Sequence, residues 1–138
     1  MTEEDKKLLL KDLCARLPYD IIASVRGSDE EFQYFYILGV KDGKVWVKND
    51  ILRVDKFVDV EVVKPYLRPM SSMTDEEKAQ VQMFMDIVTD ENYGDGYSPS
   101  AWDAMNGFVQ YCDSHHLDHR GLIFKCLAIE APEGMYNN

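Results

Sequence analysis

The chain has 138 residues, of which 46% are hydrophobic and 29% charged, with a formal net charge of −10 at pH 7. This length and composition are typical of one folded globular domain and exclude a disordered chain, and no apolar run reaches the ~20 residues that a membrane-spanning helix requires.

The acidity lies in the second half of the chain. Residues 1–70 carry 12 Lys and Arg against 13 Asp and Glu, a net charge of −1, whereas residues 71–138 carry 3 against 12, a net charge of −9. Nucleic-acid affinity comes largely from Lys and Arg. We therefore expect no direct binding of nucleic acid.

The N-terminus and the cysteines indicate the compartment. Glu3, Glu4 and Asp5 stand where a secretory signal peptide has basic residues, so the sequence predicts a cytoplasmic protein. Three cysteines without a Cys-x-x-Cys pair favour reduced thiols over a disulfide framework.

The first predicted element is a helix that Thr2 caps and Pro18 ends. Four of its apolar residues recur at helical spacing and are predicted to pack on the rest of the domain: Leu10, Leu13, Cys14 and Leu17.

Residues 19–63 have the period-two pattern of strands. The strongest predicted strand is 32–40, and the Asp42-Gly43 turn after it makes 34–48 a β-hairpin. Val58, Val60 and Val62 predict a further strand. We expect a small antiparallel sheet, either a flat meander covered by helices or an SH3-like partial barrel.

The segment 64–74 separates the sheet from the helices. Pro65 and Pro69 lack amide donors and push the preceding residues out of the α region, so neither a helix nor a central strand is expected there. We predict an extended hinge that lies across the sheet.

Residues 74–131 are predicted to form two or three helices packed on the sheet. Thr74 and Glu77 form a capping box for the first. The second follows Ser98 and Pro99 and carries an apolar stripe: Trp102, Met105, Phe108, Val109 and Cys112. Asp118 caps a short helix through 122–127, unless 122–129 is a strand. The prediction is a single α+β domain over residues 1–138.

The residues between 112 and 126 contain the best candidates for metal ligands. Cys112, His115, His119 and Cys126 have the ligand types of a zinc site but not its two tight ligand pairs. Histidines at a helix end and buried thiols explain the pattern better. The chain also lacks a nucleophile elbow and a phosphate-binding glycine loop, so we expect no cofactor, and the sequence disfavours enzymatic activity without deciding it.

An acidic loop with aromatic residues is the candidate partner-binding site. It contains Asp90, Glu91, Tyr93, Asp95 and Tyr97. A calcium loop would need glycine where Asp95 stands. Aromatic anchors ringed by charge are common at interfaces, so the loop is predicted to bind a protein with a basic surface.

Two stretches resemble a known family. The sequence Lys-Pro-Tyr-Leu-Arg-Pro at 64–69 with Ser-Ser-Met-Thr at 71–74, and Arg-Gly-Leu-Ile at 120–123 with Glu-Ala-Pro-Glu-Gly-Met-Tyr at 130–136, resemble small uncharacterised proteins of gut Bacteroides-group bacteria and their phages. The resemblance implies no activity. It implies an accessory role in a phage or another mobile element.

The sequence therefore predicts a non-enzymatic protein that acts by binding a protein partner. The alternatives are a metal-binding domain or metal-dependent enzyme that uses the Cys112 to Cys126 cluster, and a virion or other structural component. The sequence does not determine the oligomeric state.

Overall fold

The computed structural model describes residues 1–27, 34–89 and 99–136, and in these ranges it confirms the α+β class. The elements in chain order are α1 Glu3–Arg16, β1 Ile22–Val25, β2 Phe35–Lys41, β3 Lys44–Asn49, β4 Val54–Asp59, β5 Val63–Leu67, α2 Asp75–Thr89, α3 Pro99–Ser114 and β6 Ile129–Glu130.

The six strands form one sheet in the order β4-β3-β2-β1-β5-β6. Neighbouring strands are antiparallel except β5 and β6, which are parallel. The predicted hairpin is confirmed as β2 and β3, joined at Asp42 and Gly43, whose φ angles of 53° and 76° suit a tight turn. β4 and β6 are the two edges.

α1 lies against the sheet, and the capping box at Thr2 is present. The predicted stripe is only partly right: Leu13 is buried, but Cys14 is exposed and Leu10 and Leu17 are half-buried. The buried face of α1 is instead Leu9, Asp12, Leu13 and Arg16. Two charged residues thus replace apolar ones on the face that meets the core.

The core lies between α1, the inner face of the sheet and the chain after α3. Its buried apolar side chains come from positions 9 to 128: Leu9, Leu13, Ile21, Ala23, Val25, Phe35, Ile37, Val45, Val47, Val60, Val63, Leu67, Leu122, Leu127 and Ala128.

The valines predicted as one strand fall into two elements, and a new strand follows them. Val58 belongs to β4, Val60 and Val62 form a 3₁₀ turn, and β5 begins at Val63. Only this turn connects β4 to β5, although the two strands stand at opposite ends of the order β4-β3-β2-β1-β5, so the sheet curls and brings them close.

The prediction that no interior strand crosses the hinge was wrong, because β5 contains Pro65 and lies between β1 and β6. The register explains why it is tolerated. The amide of Arg26 donates to the carbonyl of Val62 at 2.8 Å, and hydrogen-bonded pairs alternate along antiparallel strands. Pro65, opposite Ala23, therefore occupies a non-hydrogen-bonded position and costs the β1–β5 ladder nothing.

The helical part differs from the prediction in where α3 packs. α3 packs mainly on α2 and makes further contacts with α1, rather than with the sheet. A Cβ on Gly107 would lie 2.8 Å from Cε1 of Phe84, so the glycine permits this close approach. Trp102 and Met105, predicted as core residues, are 58% and 41% exposed, while Ala101, Ala104 and Cys112 are buried.

The chain after α3 folds as turns rather than as the short helix that was one of the two predictions. The carboxylate of Asp118 accepts hydrogen bonds from the amides of Leu122 and Ile123 at 2.8 and 2.9 Å. The turns end in the two-residue strand β6. In the described ranges, no helix combines the length and apolar character that crossing a bilayer would require.

Candidate functional site

The four candidate metal ligands have separate environments. Cys112 is buried in α3, and burial together with the Asp113 carboxylate raises the pKa of its thiol to about 11. His115 and His119 each face a carboxylate, and Cys126 is exposed on a turn. Among residues 1–27, 34–89 and 99–136, no three His, Cys, Asp or Glu side chains are grouped so that they could hold a metal ion.

His115 belongs to an ion-pair network centred on Glu77. The carboxylate of Glu77 lies 2.8 and 2.6 Å from Nη1 and Nη2 of Arg68, and 2.7 Å from Nδ1 of His115. The same carboxylate accepts from the amide of Thr74, and the Thr74 hydroxyl accepts from the amide of Glu77, so the predicted capping box is confirmed. The hydrogen bonds from Arg68 are the main cause that lowers the pKa of Glu77 to about 2.

This Glu77 network joins three parts of the chain. Arg68 follows β5, Glu77 lies in the first turn of α2, and His115 follows α3. The backbone adds two bonds: the amide of Arg68 donates to the carbonyl of His116 at 2.7 Å, and the amide of Asp118 donates to the carbonyl of Arg68 at 2.8 Å. The hinge is thus fixed to the helices by charge and backbone pairing.

His119 belongs to a second network, which lies between α1 and the end of α3. Nε of Arg16 donates to Asp12 at 2.8 Å, and Arg120 bridges Asp12 and Asp113 at 2.7 and 2.9 Å. Nε2 of His119 lies 3.0 Å from Asp113. Burial alone would raise the pKa of Asp113, but the hydrogen bonds from His119 and Arg120 lower it.

This Arg16 network is closed to solvent. The side chains of Asp12 and Arg16 are fully buried, and Nη2 of Arg16 donates to the carbonyl of Leu117 at 2.8 Å. Every carboxylate and guanidinium in the two networks is paired with an opposite charge. We interpret both as structural ties.

The C-terminal segment is held over the sheet by Tyr136. Its ring stacks on His116 with the centroids 3.7 Å apart. Its hydroxyl donates to the carbonyl of Tyr66 at 2.7 Å and accepts from the amide of Ile22 at 3.1 Å. Burial raises the pKa of Tyr136 to about 12.

The burial of His116 predicts acid sensitivity. Burial, assisted by Arg16 and Arg68, lowers the pKa of His116 from 6.5 to about 4. As the pH falls, His116 is therefore protonated in the unfolded chain at a higher pH than in the folded chain. The contribution of neutral His116 to the free energy of unfolding is fully present above pH 6.5 and is lost as the pH falls to about 4. We expect at most ~3 kcal/mol of unfolding free energy to be lost in this window.

Urea denaturation between pH 7.5 and 4 measures this loss, with His116→Asn as the comparison. Asparagine tolerates the φ angle of 61° at this position and does not titrate. The variant should lose less stability than the wild type across the window. Parallel pH profiles would contradict the assignment to His116.

The acidic loop proposed from the sequence as the partner site, with Asp90, Glu91, Tyr93, Asp95 and Tyr97, lies outside the described residues. Its role in binding stays a prediction.

The outer face of the sheet carries several large exposed side chains. Phe35 and Ile37 of β2 and Val45 and Val47 of β3 are buried, so the alternate residues point away from the core. We name the resulting surface the aromatic face; its members are Tyr34, Tyr36, Leu38, Trp46 and Phe57.

The aromatic face is organised by cross-strand pairing. Trp46 stands opposite Phe57, and their rings stack with the centroids 5.9 Å apart. On its other side Trp46 stands opposite Gly39, and a Cβ there would lie 3.5 Å from the indole. The indole N–H also donates to the carboxylate of Asp55, which fixes the ring.

Two lysines at the aromatic face are paired with aspartates. Nζ of Lys44 lies 3.0 Å from the carboxylate of Asp59, and Nζ of Lys48 lies 3.1 Å from that of Asp50. The face is therefore an apolar strip with two ion pairs along its sides.

The alternation in β2 is visible in the sequence, but which of its two sides faces outward is not. Tyr34 and Tyr36 on one side and Phe35 and Ile37 on the other are all large and apolar. The signal available in the sequence was the hydroxyl group of each tyrosine, because a tyrosine hydroxyl suits a solvent-exposed surface better than the side chains of phenylalanine and isoleucine do.

Comparisons of the chain with protein-family models, with curated proteins and with solved structures gave no match.

Proposed function

We propose that this protein is a non-enzymatic binding protein that docks a protein partner on its aromatic face. The observation that carries the proposal is the exposure of four neighbouring large side chains: Tyr34 is 47%, Tyr36 44%, Leu38 41% and Phe57 51% exposed. Contiguous exposed apolar surface of this kind marks interaction sites more often than scattered residues do.

A protein suits this face better than a nucleic acid. Platforms for single strands combine aromatic side chains with unpaired cations along the backbone path. Here Lys44 and Lys48 are paired with aspartates, and the whole chain carries a net charge of −10. Tyr and Trp anchors beside polar groups are instead the common composition of protein interfaces.

The biological setting rests on the family resemblance alone. An accessory protein of a phage or mobile element, acting in the cytoplasm on a partner with a basic surface, agrees with the acidity of residues 71–138. A structural role in a virion would use the same face for assembly.

The test is affinity purification from the native host with wild-type protein and a Tyr36→Ser/Phe57→Ser double variant. We expect a protein that the wild type captures to be lost with the variant. With the purified partner, the double variant should weaken binding by about 30-fold or more, which corresponds to ~2 kcal/mol for removal of interface hot spots.

The matched control is Phe124→Ser, because Phe124 is 93% exposed but lies in the turn region before β6 rather than on the aromatic face. Its binding should equal that of the wild type. Equal losses with Phe124→Ser, or capture of nucleic acid sensitive to the aromatic-face variant, would refute a protein-docking face.

A further inference from the structure

A groove of about 730 Å³ lies at the β6 edge of the sheet, between the chain after β5 and the C-terminal segment. It is separated from the Trp46–Phe57 stack by β2, β1 and β5. Its lining combines apolar and hydroxyl-bearing residues, among them Pro69, Ser72, Thr74, Pro132 and Tyr136.

The groove is preformed, because hydrogen bonds fix its lining. Arg68 lines it, and its guanidinium donates to Glu77 and to the carbonyl of Ser72 at 3.1 Å. Tyr136 is held by the backbone of Tyr66 and Ile22. A ligand would therefore find little to reorganise.

The charge of the groove is negative. The carboxylates of Glu130 and Glu133 line it, are exposed, and have no ion-pair partner among the described residues. The guanidinium of Arg68 is compensated by Glu77. A ligand with ammonium or guanidinium groups could lay its aliphatic stems on the prolines and Tyr136 and direct its charges to the two carboxylates.

The edge strand β6 borders this groove and leaves backbone groups at the free edge of the sheet. The amide of Ala131 donates to the carbonyl of Leu67 at 2.8 Å, and successive residues of a strand direct their backbone groups to opposite sides. The amide and carbonyl of Glu130 therefore face away from β5. An extended peptide can pair with such an edge by adding a strand.

We propose that this groove binds an extended segment of a protein partner that carries lysine or arginine side chains. The juxtaposition of two unpaired carboxylates, an apolar lining and an edge strand favours this occupant over an anionic or a purely apolar one. The site is independent of the aromatic face, and either can fail without the other.

The test uses a fluorescently labelled short peptide of alternating lysine and valine, with binding followed by fluorescence anisotropy. We expect saturable binding to the full chain. Glu130→Gln/Glu133→Gln should weaken it by about tenfold, as expected for loss of two partly exposed ion pairs. A peptide of alternating glutamate and valine should not bind.

The matched control is Asp86→Asn/Asp103→Asn, which removes two exposed carboxylates from α2 and α3. It should change the affinity by less than about twofold, since these residues do not line the groove. Phe57→Ser should also leave peptide binding unchanged. Amide chemical shifts should move at residues 69–74 and 130–136.

Three results would overturn the proposal. One is the absence of binding by the lysine peptide, and another is an equal loss of affinity in the control variant, which would indicate attraction by net charge alone. The third is a set of shift changes that lies outside the groove.

Discussion

Arg16→Ala is expected to lower the free energy of unfolding by about 3–5 kcal/mol, the usual cost of removing one partner from a buried ion pair. Arg16 is fully buried and neutralises Asp12, which is also fully buried, at 2.8 Å. The substitution would leave Asp12 and Asp113 with Arg120 as their shared cation and would remove the hydrogen bond to the carbonyl of Leu117. Urea denaturation followed by circular dichroism measures the loss.

Lys44→Ala is the control for this prediction. Its ion pair with Asp59 has a similar distance of 3.0 Å, but the two side chains are 54% and 70% exposed. Solvent screening should keep its effect below about 1 kcal/mol. Arg16→Lys keeps the positive charge but loses the planar guanidinium. Its loss of unfolding free energy should fall between those of Arg16→Ala and Lys44→Ala. Similar losses for Arg16→Ala and Lys44→Ala would show that the buried network does not stabilise the fold.

Local patterns in the sequence were enough to predict the elements whose causes are local. The caps at Thr2 and at Thr74 with Glu77 were confirmed, because a capping box satisfies amides three residues apart and needs no tertiary partner. The hairpin at Asp42 and Gly43 was confirmed for the same reason.

Elements fixed by distant partners could not be predicted. Arg16 is buried because Asp12 pairs with it and Leu117, 101 residues further along the chain, accepts its hydrogen bond. The spacing of Asp12 and Arg16 permits an ion pair, but nothing near them in the sequence indicates that it is buried. Pro65 likewise indicates a break in the strand when only the sequence is considered, because its register against β1 is fixed by tertiary structure.

The aromatic face and the groove also depend on residues that are distant in the sequence. Alternation in β2 predicted two faces, but only the neighbouring strands decide that Phe35 and Ile37 are inside and Tyr36 is outside. The sequence marks residues 64–74 and 130–136 by their family resemblance, but it does not indicate that they lie together and form a groove. Its two glutamates were noted in the sequence as part of the general acidity and of the family resemblance, not as a pair of binding groups.

Glu77→Ala is expected to have a comparable effect, a loss of about 3–5 kcal/mol, because it would leave Arg68 without its carboxylate in a nearly buried site. The two side chains are only 4% and 10% exposed, and the bidentate contact measures 2.6 and 2.8 Å. The same substitution removes the acceptor for the amide of Thr74, so the start of α2 should fray. Thermal and urea denaturation would report the loss.

Glu76→Ala is the matched control, because Glu76 is the neighbouring acid in the first turn of α2 but is exposed. Its interaction with the helix dipole should be worth less than about 1 kcal/mol.

The pH dependence of stability tests whether the charge of Glu77 is what stabilises the contact with Arg68. The pKa of Glu77 is lowered from 4.5 to about 2 in the folded chain, so its contribution is present above pH 4.5 and is lost as the pH falls toward 2. The stability difference between wild type and Glu77→Gln should therefore narrow over that interval, whereas a constant difference would mean that the Glu77 charge does not hold the hinge to α2.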